Sequence, residues 1–211
     1  MEVVDLLLFI VFQMLFVFPL RKLVLDLLKV KLGSAATLVF GLIVGIVVLT
    51  MSILTIGYIG LYNLFPLPLI IPPVILLFQL KTMSIGDLGP KRIINKQNLF
   101  LGVVLTAFTL TLSAIVLPNG VTAQGELALK SVFVEDGMWH VAIINNLSKA
   151  IPPENPLLSG ERLVGYNYFA DVYISTIYKL TRIDILILYF RLIGPFLALL
   201  SAASLFFVFI K

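Results

Sequence analysis

Five long apolar runs constrain the fold of this chain more than any other feature of its sequence. They cover residues 3–20, 33–60, 61–80, 99–117 and 183–210. A helix of about 20 apolar residues, rising about 1.5 Å per residue, crosses the roughly 30 Å hydrocarbon layer of a membrane. Hydrophobic residues make up 60% of the chain and charged residues 12%, whereas soluble domains are about half apolar and about a quarter charged. The sequence therefore predicts an all-α, polytopic helical membrane protein with five transmembrane helices.

Composition also excludes several classes of protein. The chain has no cysteine, which rules out a disulfide framework and any cysteine-ligated metal. It has no long run of basic residues, so we expect no nucleic-acid partner. The first apolar run follows the acidic start MEVVD and is not followed by a small-residue cleavage site. This pattern favours a membrane span over a signal peptide.

The placement of positive charge predicts the orientation. The two short polar segments at 21–31 and 81–96 carry eight of the fifteen basic residues, and their acids are Asp26 and Asp87. The long polar interval 118–182 carries five basic residues and six acidic ones. Because Lys and Arg concentrate on the cytoplasmic side, we expect the N-terminus and the interval 118–182 to lie on the extracytoplasmic side of the plasma membrane.

Two apolar runs contain helix-modifying residues. Gly41 and Gly45 form a small-xxx-small pattern that would let another helix approach closely; glycines scattered through a transmembrane helix are the alternative. The third run contains Pro66, Pro68, Pro72 and Pro73. Since proline removes a backbone donor, we expect this run to be bent or partly unwound and shielded by neighbouring helices.

The polar interval holds the only histidine and the only tryptophan of the chain. We predict two helices in it, 137–150 and 166–180, joined by the rigid proline-rich link 152–156. Both are expected to lie on the membrane surface, with Trp139 in the aromatic belt. The apolar stripe of the second helix would consist of Phe169, Tyr173, Ile177 and Leu180.

Local spacing suggests roles for several acidic residues. Asp136 and His140 lie four residues apart, roughly on one helical face. Asp136 would also suit the N-terminal end of a helix, as a cap. Thr181 and Asp184 resemble a capping box at the start of the fifth run, which is a structural use for Asp184. We interpret Asp171, in the second helix, as solvated or paired with a lysine.

Three short motifs carry a resemblance to a known family. They are E-D-G-x-W-H at 135–140, P-P-E-N-P at 152–156 and G-Y-N-Y-F-A-D at 165–171. With their flanking spans they resemble the first external loop of the GT-C superfamily of membrane glycosyltransferases, in particular its large uncharacterised bacterial and archaeal members. The resemblance covers 97–211, and 1–96 would form a separate three-span region. An adjacent Glu135-Asp136 pair stands where the superfamily has Asp-x-Asp.

The resemblance implies transfer of a sugar from a polyprenyl-phosphate donor to a glycan, lipid or protein acceptor. The catalytic base of the superfamily maps to Asp136. A carboxylate at the membrane surface can serve as such a base. Glu135 would assist, and His140 would contact the acceptor or the phosphate. Arg191, about eight residues into the fifth run, would bind the lipid phosphate through its bidentate geometry. Tyr166 and Tyr168 would stack on a sugar.

Each of these residues also has a structural interpretation that the sequence leaves open. Asp136 could cap its helix, Glu135 could be solvated and His140 could pack on Trp139. Arg191 could snorkel to the headgroups, and Tyr166 and Tyr168 could anchor the interface. We predict no metal site, because adjacent carboxylates point in different directions and a single histidine supplies too few ligands. A divalent cation is the one cofactor that the sequence leaves open.

Two other functions fit the same layout. One is a non-catalytic membrane scaffold or assembly subunit, and the other is a transporter or flippase of a lipid-linked intermediate, since interrupted helices often line substrate paths. In all three cases membrane lipid is a partner. The chain stops directly after its fifth apolar run, and we therefore expect a fragment of a longer membrane protein or one half of a split system.

Overall fold

The computed structural model of the protein describes residues 3–25, 34–82, 96–121, 126–130 and 134–209. Among these residues helices dominate, and five helical stretches are long and apolar enough to cross a membrane. This confirms the helical class and the number of apolar spans. We call them spans 1 to 5: Val3–Leu20, Ala36–Tyr58, Tyr62–Gln79, Leu99–Val116 and Ile185–Phe209. More than half of each of the basic segments at 21–31 and 81–96 lies outside the described residues.

Span 1 changes its helical geometry along its length. It begins as α1 (Val3–Phe12), continues as a π-helical turn (Gln13–Val17) and a 3₁₀ turn (Phe18–Leu20), and runs on into α2 (Arg21–Leu25). Pro19 lies in the 3₁₀ turn, and because it has no backbone N–H it cannot continue the α-helical ladder. Nearby, the side-chain Nε2 of Gln79 in span 3 donates a hydrogen bond to the backbone carbonyl of Pro19, at 3.0 Å.

Span 2 lies in α3 (Ser34–Tyr58) and packs closely against span 1. A Cβ atom added at Gly45 would lie 2.0 Å from the carbonyl oxygen of Val17, and one at Gly41 would lie 2.8 Å from Cδ of Arg21. Cβ atoms essentially never make contacts this short, so glycine is required at Gly45, where the contact is with backbone, whereas at Gly41 the flexible side chain of Arg21 would have to move. The small-xxx-small prediction for Gly41 and Gly45 is confirmed.

Span 3 starts with a 3₁₀ turn (Tyr62–Leu64) and continues as α4 (Leu67–Thr82). The irregular backbone lies before α4, around Pro66. Helix α4 itself runs through Pro72 and Pro73. The predicted unwinding is therefore located at the beginning of the span rather than at the central proline pair.

Span 4 lies in α5 (Lys96–Val116) and packs against α9 (Gly194–Phe209) of span 5. Span 5 begins with α8 (Ile185–Ile187) and a π-helical stretch (Leu188–Ile193) before α9. Asp184 is the N-cap of α8, and its carboxylate accepts the backbone N–H of Leu186 at 2.8 Å. This confirms a structural use for Asp184, as the N-cap itself, but the predicted capping box is wrong because Thr181 is the last residue of α7. After span 4, β1 (Gly120–Val121) pairs antiparallel with β2 (Leu127–Ala128).

The polar interval contains α6 (Val134–Leu147) and α7 (Phe169–Thr181), which pack on each other. Helix α7 also contacts α1 and α3, and its residues from Asp171 to Ile177 are all buried. The prediction that this helix lies on the surface with one apolar stripe is wrong: α7 is enclosed on every side over two turns, while Leu180 is exposed. The helix boundaries differ from the predicted 137–150 and 166–180 by about three residues at either end of α6 and at the start of α7.

Tyrosine side chains attach this helical pair to the ends of spans 2 and 3. The hydroxyl groups of Tyr58 and Tyr168 are hydrogen-bonded to each other. The hydroxyl of Tyr62 donates to the carbonyl of Leu147 at 2.5 Å and accepts from Lys179 at 3.1 Å. Because these bonds join the loop and both helices to the ends of apolar spans, they hold the polar interval in a defined place relative to the spans.

Candidate functional site

The candidate site is centred on His140, in the second turn of α6. Its Nδ1 lies 2.9 Å from both carboxylate oxygens of Asp171, which projects from α7. The side chain of Asp171 is only 2% exposed and that of His140 is 21% exposed. An ionised carboxylate can only accept hydrogen bonds. The geometry therefore assigns the proton of Nδ1 to a bond donated to Asp171.

The other ring nitrogen of His140 faces two further polar groups. Its Nε2 lies 3.8 Å from a carboxylate oxygen of Asp136, one helical turn earlier, and 3.4 Å from the hydroxyl of Tyr166. The side chain of Asp136 is 68% exposed. The prediction that Asp136 and His140 share a helical face is confirmed. A chain of groups thus runs from buried Asp171 through the imidazole to an exposed carboxylate.

Aromatic rings enclose the imidazole. Tyr189 of span 5 stacks on His140 with 5.8 Å between the ring centroids and 18° between the planes. The ring of Tyr166 is tilted against that of His140, with 6.0 Å between the ring centroids. Trp139 contacts the ring of Tyr166 edge-on, also with 6.0 Å between centroids. Trp139 is thus half-buried against the site. These rings restrict the positions that the imidazole can occupy.

Gly137 explains how α6 comes so close to span 5. A Cβ atom at this position would lie 2.8 Å from Cζ of Phe190 and 3.4 Å from Cε1 of Tyr189. Glycine within a helix costs about 1 kcal/mol relative to alanine, and here it lets the two helices approach. The E-D-G-x-W-H motif therefore brings its histidine under the ring of Tyr189.

The environment shifts the protonation equilibria of both members of the central pair. The hydrogen bond to Asp171 raises the pKa of His140, with burial opposing it and the charges of Asp171 and Asp136 adding to it. Burial raises the pKa of the Asp171 carboxyl, and the hydrogen bond and charge of His140 oppose this effect. Both groups therefore hold a proton to higher pH in the folded protein than in the unfolded chain.

These two shifts predict that the stability of the fold falls as the pH rises. A histidine with a raised pKa contributes stability that is fully present below its unfolded pKa of about 6.5 and is lost as pH rises through the folded value. The raised pKa of Asp171 acts in the same direction. We expect a higher thermal unfolding midpoint near about pH 6 than near about pH 9, and a smaller difference in His140→Asn. An equal pH dependence in that variant would contradict this assignment.

The structure brings together three of the predicted site residues, Asp136, His140 and Tyr166. Glu135 is exposed in the same turn as Asp136. Tyr168 is 4% exposed, and its ring stacks on Tyr58 with 6.5 Å between centroids. Its described contacts therefore belong to the core, at the junction of the loop with α3, instead of to the group around His140.

Arg191 occupies the π-helical stretch of span 5. Its Nε donates a hydrogen bond to the carbonyl oxygen of Asn119 at 3.0 Å, just after span 4. The residue also lines a largely apolar cleft of about 430 Å³ between spans 1, 2 and 5, with Phe9, Gln13 and Phe196 among the other lining residues. Arg191 follows Tyr189 by two residues in the chain, so both lie in the same π-helical stretch.

Asp171 is the residue that the sequence interpretation missed. The interpretation of Asp171 as solvated or paired with a lysine is wrong, because the side chain is buried against His140. The predicted apolar stripe through Tyr173 and Ile177 puts Asp171 on the opposite face of the helix, which we expected to be exposed to solvent. Ile174 lies on the same helical face as Asp171 and is also buried. That apolar neighbour one turn away was the available signal that this face is covered.

Among the described residues, no group of three or more acidic or histidine side chains is arranged to hold a metal ion. Asp136, His140 and Asp171 form a linear chain in which the imidazole separates the two carboxylates. Such an arrangement suits proton transfer, since one end is buried and fixed while the other end is open to a reacting molecule. Comparison with known protein families, curated proteins and solved structures gives no match to this chain.

Proposed function

We propose that the protein is a glycosyltransferase that moves a sugar from a lipid-phosphate-linked donor to an acceptor at the extracytoplasmic face of the plasma membrane. The observation that carries the proposal is the exposed carboxylate of Asp136 beside the fixed imidazole of His140. The same aspartate matches the catalytic base in the motif that resembles the GT-C superfamily. The orientation follows from the distribution of basic residues between 21–31, 81–96 and 118–182.

In the proposed reaction, Asp136 accepts the proton of an acceptor hydroxyl while that oxygen attacks the anomeric carbon of the donor sugar. The bond between the anomeric carbon and the phosphate oxygen breaks, and its electron pair leaves with the lipid phosphate. A new glycosidic bond forms, and Asp136 is left protonated. A base in this position contributes a factor of about 10² to 10⁴ to the rate.

The leaving group requires a site for a phosphate attached to a long apolar chain. Arg191 is the proposed phosphate-binding residue, because a guanidinium matches a phosphate in charge and shape. The apolar cleft that Arg191 lines, between spans 1, 2 and 5, supports this role, since a polyprenyl tail would bury apolar surface there. An ionisable residue inside an apolar span is costly and is often functional.

The sugar itself would be recognised near His140. Tyr166 and Trp139 are half-buried, and their rings meet edge-on beside His140. Aromatic faces next to carboxylates suit a sugar, whose C–H groups pack on rings and whose hydroxyls donate to oxygen. Glu135, one residue before Asp136, is the proposed assisting carboxylate. Tyr168 has no part in this proposal because it is buried against Tyr58.

The proposal is tested with the full-length protein in lipid nanodiscs and a polyprenyl phosphate that carries a radiolabelled hexose. We expect protein-dependent transfer of the labelled hexose to an acceptor from a membrane extract, with free polyprenyl phosphate as the other product, and no transfer of the same hexose from a nucleoside diphosphate. Transfer from the nucleotide donor alone, or from neither donor across a panel of hexoses, would overturn the proposal. Movement of the intact lipid-linked sugar across vesicles without release would favour transport instead.

A further inference from the structure

Asp171 is a charged residue in the first turn of α7, at the start of the stretch of that helix that is buried on all sides. It lies in α7 between Ala170 and Val172, and its side chain is 2% exposed. Removing an ionised carboxylate from water costs several kcal/mol unless a partner compensates for it. Its compensating partner is the imidazole of His140, with Nδ1 2.9 Å from both carboxylate oxygens. A residue that only filled space in α7 would not need a charge.

The contact with Asp171 decides which ring nitrogen of His140 carries a proton. The tautomer of a neutral imidazole is set by the hydrogen bond that one of its nitrogens makes. Because the carboxylate accepts only, Nδ1 must be the protonated nitrogen. The lone pair of Nε2 then faces the hydroxyl of Tyr166 at 3.4 Å and the carboxylate of Asp136 at 3.8 Å. Stacking on Tyr189 holds the ring plane.

We propose that Asp171 is a positioning residue: it fixes His140 in the Nδ1-protonated tautomer, so that Nε2 is the atom that receives the proton from Asp136 after each transfer. The bond between that proton and the Asp136 oxygen breaks as the bond to Nε2 forms. Asp136 is thereby returned to its ionised state, and His140 becomes an imidazolium paired with Asp171. The imidazolium then releases the proton to water, which its 21% exposed ring reaches.

This inference deepens the proposed function and rests on it for the reaction, but its structural core can be examined without any substrate. His140 is the only histidine in the chain. A protein labelled with ¹⁵N in histidine alone therefore gives the two imidazole nitrogen signals of this residue without assignment. Among the residues that the structure describes, the charged or titratable groups that face the ring are Asp136 on α6, Asp171 on α7, Tyr166 in the loop and Tyr189 of span 5.

The experiment is a pH titration of the ¹⁵N-histidine signals of the full-length protein in nanodiscs. In the unmodified protein at high pH, we expect Nδ1 to have the ¹⁵N chemical shift of a protonated imidazole nitrogen. We expect Nε2 to have the ¹⁵N chemical shift of an unprotonated one. In Asp171→Asn we expect a lower titration midpoint and an increased Nε2-protonated population, because the accepting charge is gone. Asp136→Asn is the matched control: it removes a charge that is 3.8 Å away and 68% exposed, so its midpoint should fall by less.

The outcomes separate this inference from the proposed function. A neutral imidazole with its proton on Nε2 in the unmodified protein would overturn the positioning role, and that measurement does not depend on any variant folding. An unchanged midpoint and tautomer in a folded Asp171→Asn would do the same. If the tautomer is as expected but no lipid-linked sugar is cleaved, the proposed function fails and the positioning of His140 stands. If sugar is transferred, Asp171→Asn should shift the pH profile of the rate, which a purely structural role would leave in place.

Discussion

Replacing Asp136 with asparagine is expected to lower the rate of sugar transfer by about 10²- to 10⁴-fold, the contribution of a positioned general base. Asparagine has the size of aspartate but cannot accept the acceptor's proton. Since the side chain is 68% exposed, its replacement leaves no buried group unpaired, and the folded state should be retained. The measurement is the transfer of the radiolabelled hexose from polyprenyl phosphate to the acceptor, with the thermal unfolding midpoint recorded on the same preparation.

Two further variants make this result specific. Glu161→Gln is the matched control, because it also exchanges an exposed carboxylate for an amide in the polar interval, and we expect its rate to be unchanged. Asp136→Ser retains an oxygen that can accept a hydrogen bond at a helix start but removes the base, so it should be as inactive as Asp136→Asn. Full transfer activity in a folded Asp136→Asn would remove this residue from the mechanism and would favour a scaffold role for the protein.

Alanine at Gly45 is expected to destabilise the protein by about 2 kcal/mol or more, at the upper end of the cost of overpacking. The added methyl group would lie 2.0 Å from the backbone oxygen of Val17 and 2.9 Å from its Cγ1. A change of rotamer cannot relieve a clash with backbone, so spans 1 and 2 must separate. Because the π-helical turn of span 1 also presents Gln13 to Tyr173 of α7, the separation should loosen the contact with α7 as well.

Gly102 of span 4 offers a matched control for Gly45. A Cβ atom there would meet only Phe206 Cε2, at 3.7 Å, an ordinary contact. Alanine at Gly102 gains about 1 kcal/mol of helix propensity, as it does at any helical glycine. We therefore expect a higher unfolding midpoint for Gly102→Ala and a midpoint several degrees lower for Gly45→Ala in the same detergent. Equal midpoints in the two variants would contradict the close packing of spans 1 and 2.

Local features of the sequence were sufficient for the spans and for one half of the candidate site. Run length and hydropathy locate the apolar spans because a bilayer imposes a minimum length on any helix that crosses it. Spacing by four residues puts Asp136 and His140 on one face, because that relation is internal to one helix. The cap at Asp184 is likewise a local interaction, between a side chain and a backbone N–H two residues later.

The other half of the site depends on which helix packs against which. Asp171 and His140 are 31 residues apart, and no periodicity within α7 reveals that α6 is the element that covers the face of Asp171. The same holds for Tyr168, whose partner Tyr58 is 110 residues away, and for Arg191, whose hydrogen-bond partner Asn119 is 72 residues away. The sequence by itself determined the helices, their apolar runs and the exposed carboxylate of α6. Only the tertiary structure decided that a buried carboxylate from α7 holds the histidine, because burial and pairing of a charge are properties of packed elements and not of one element alone.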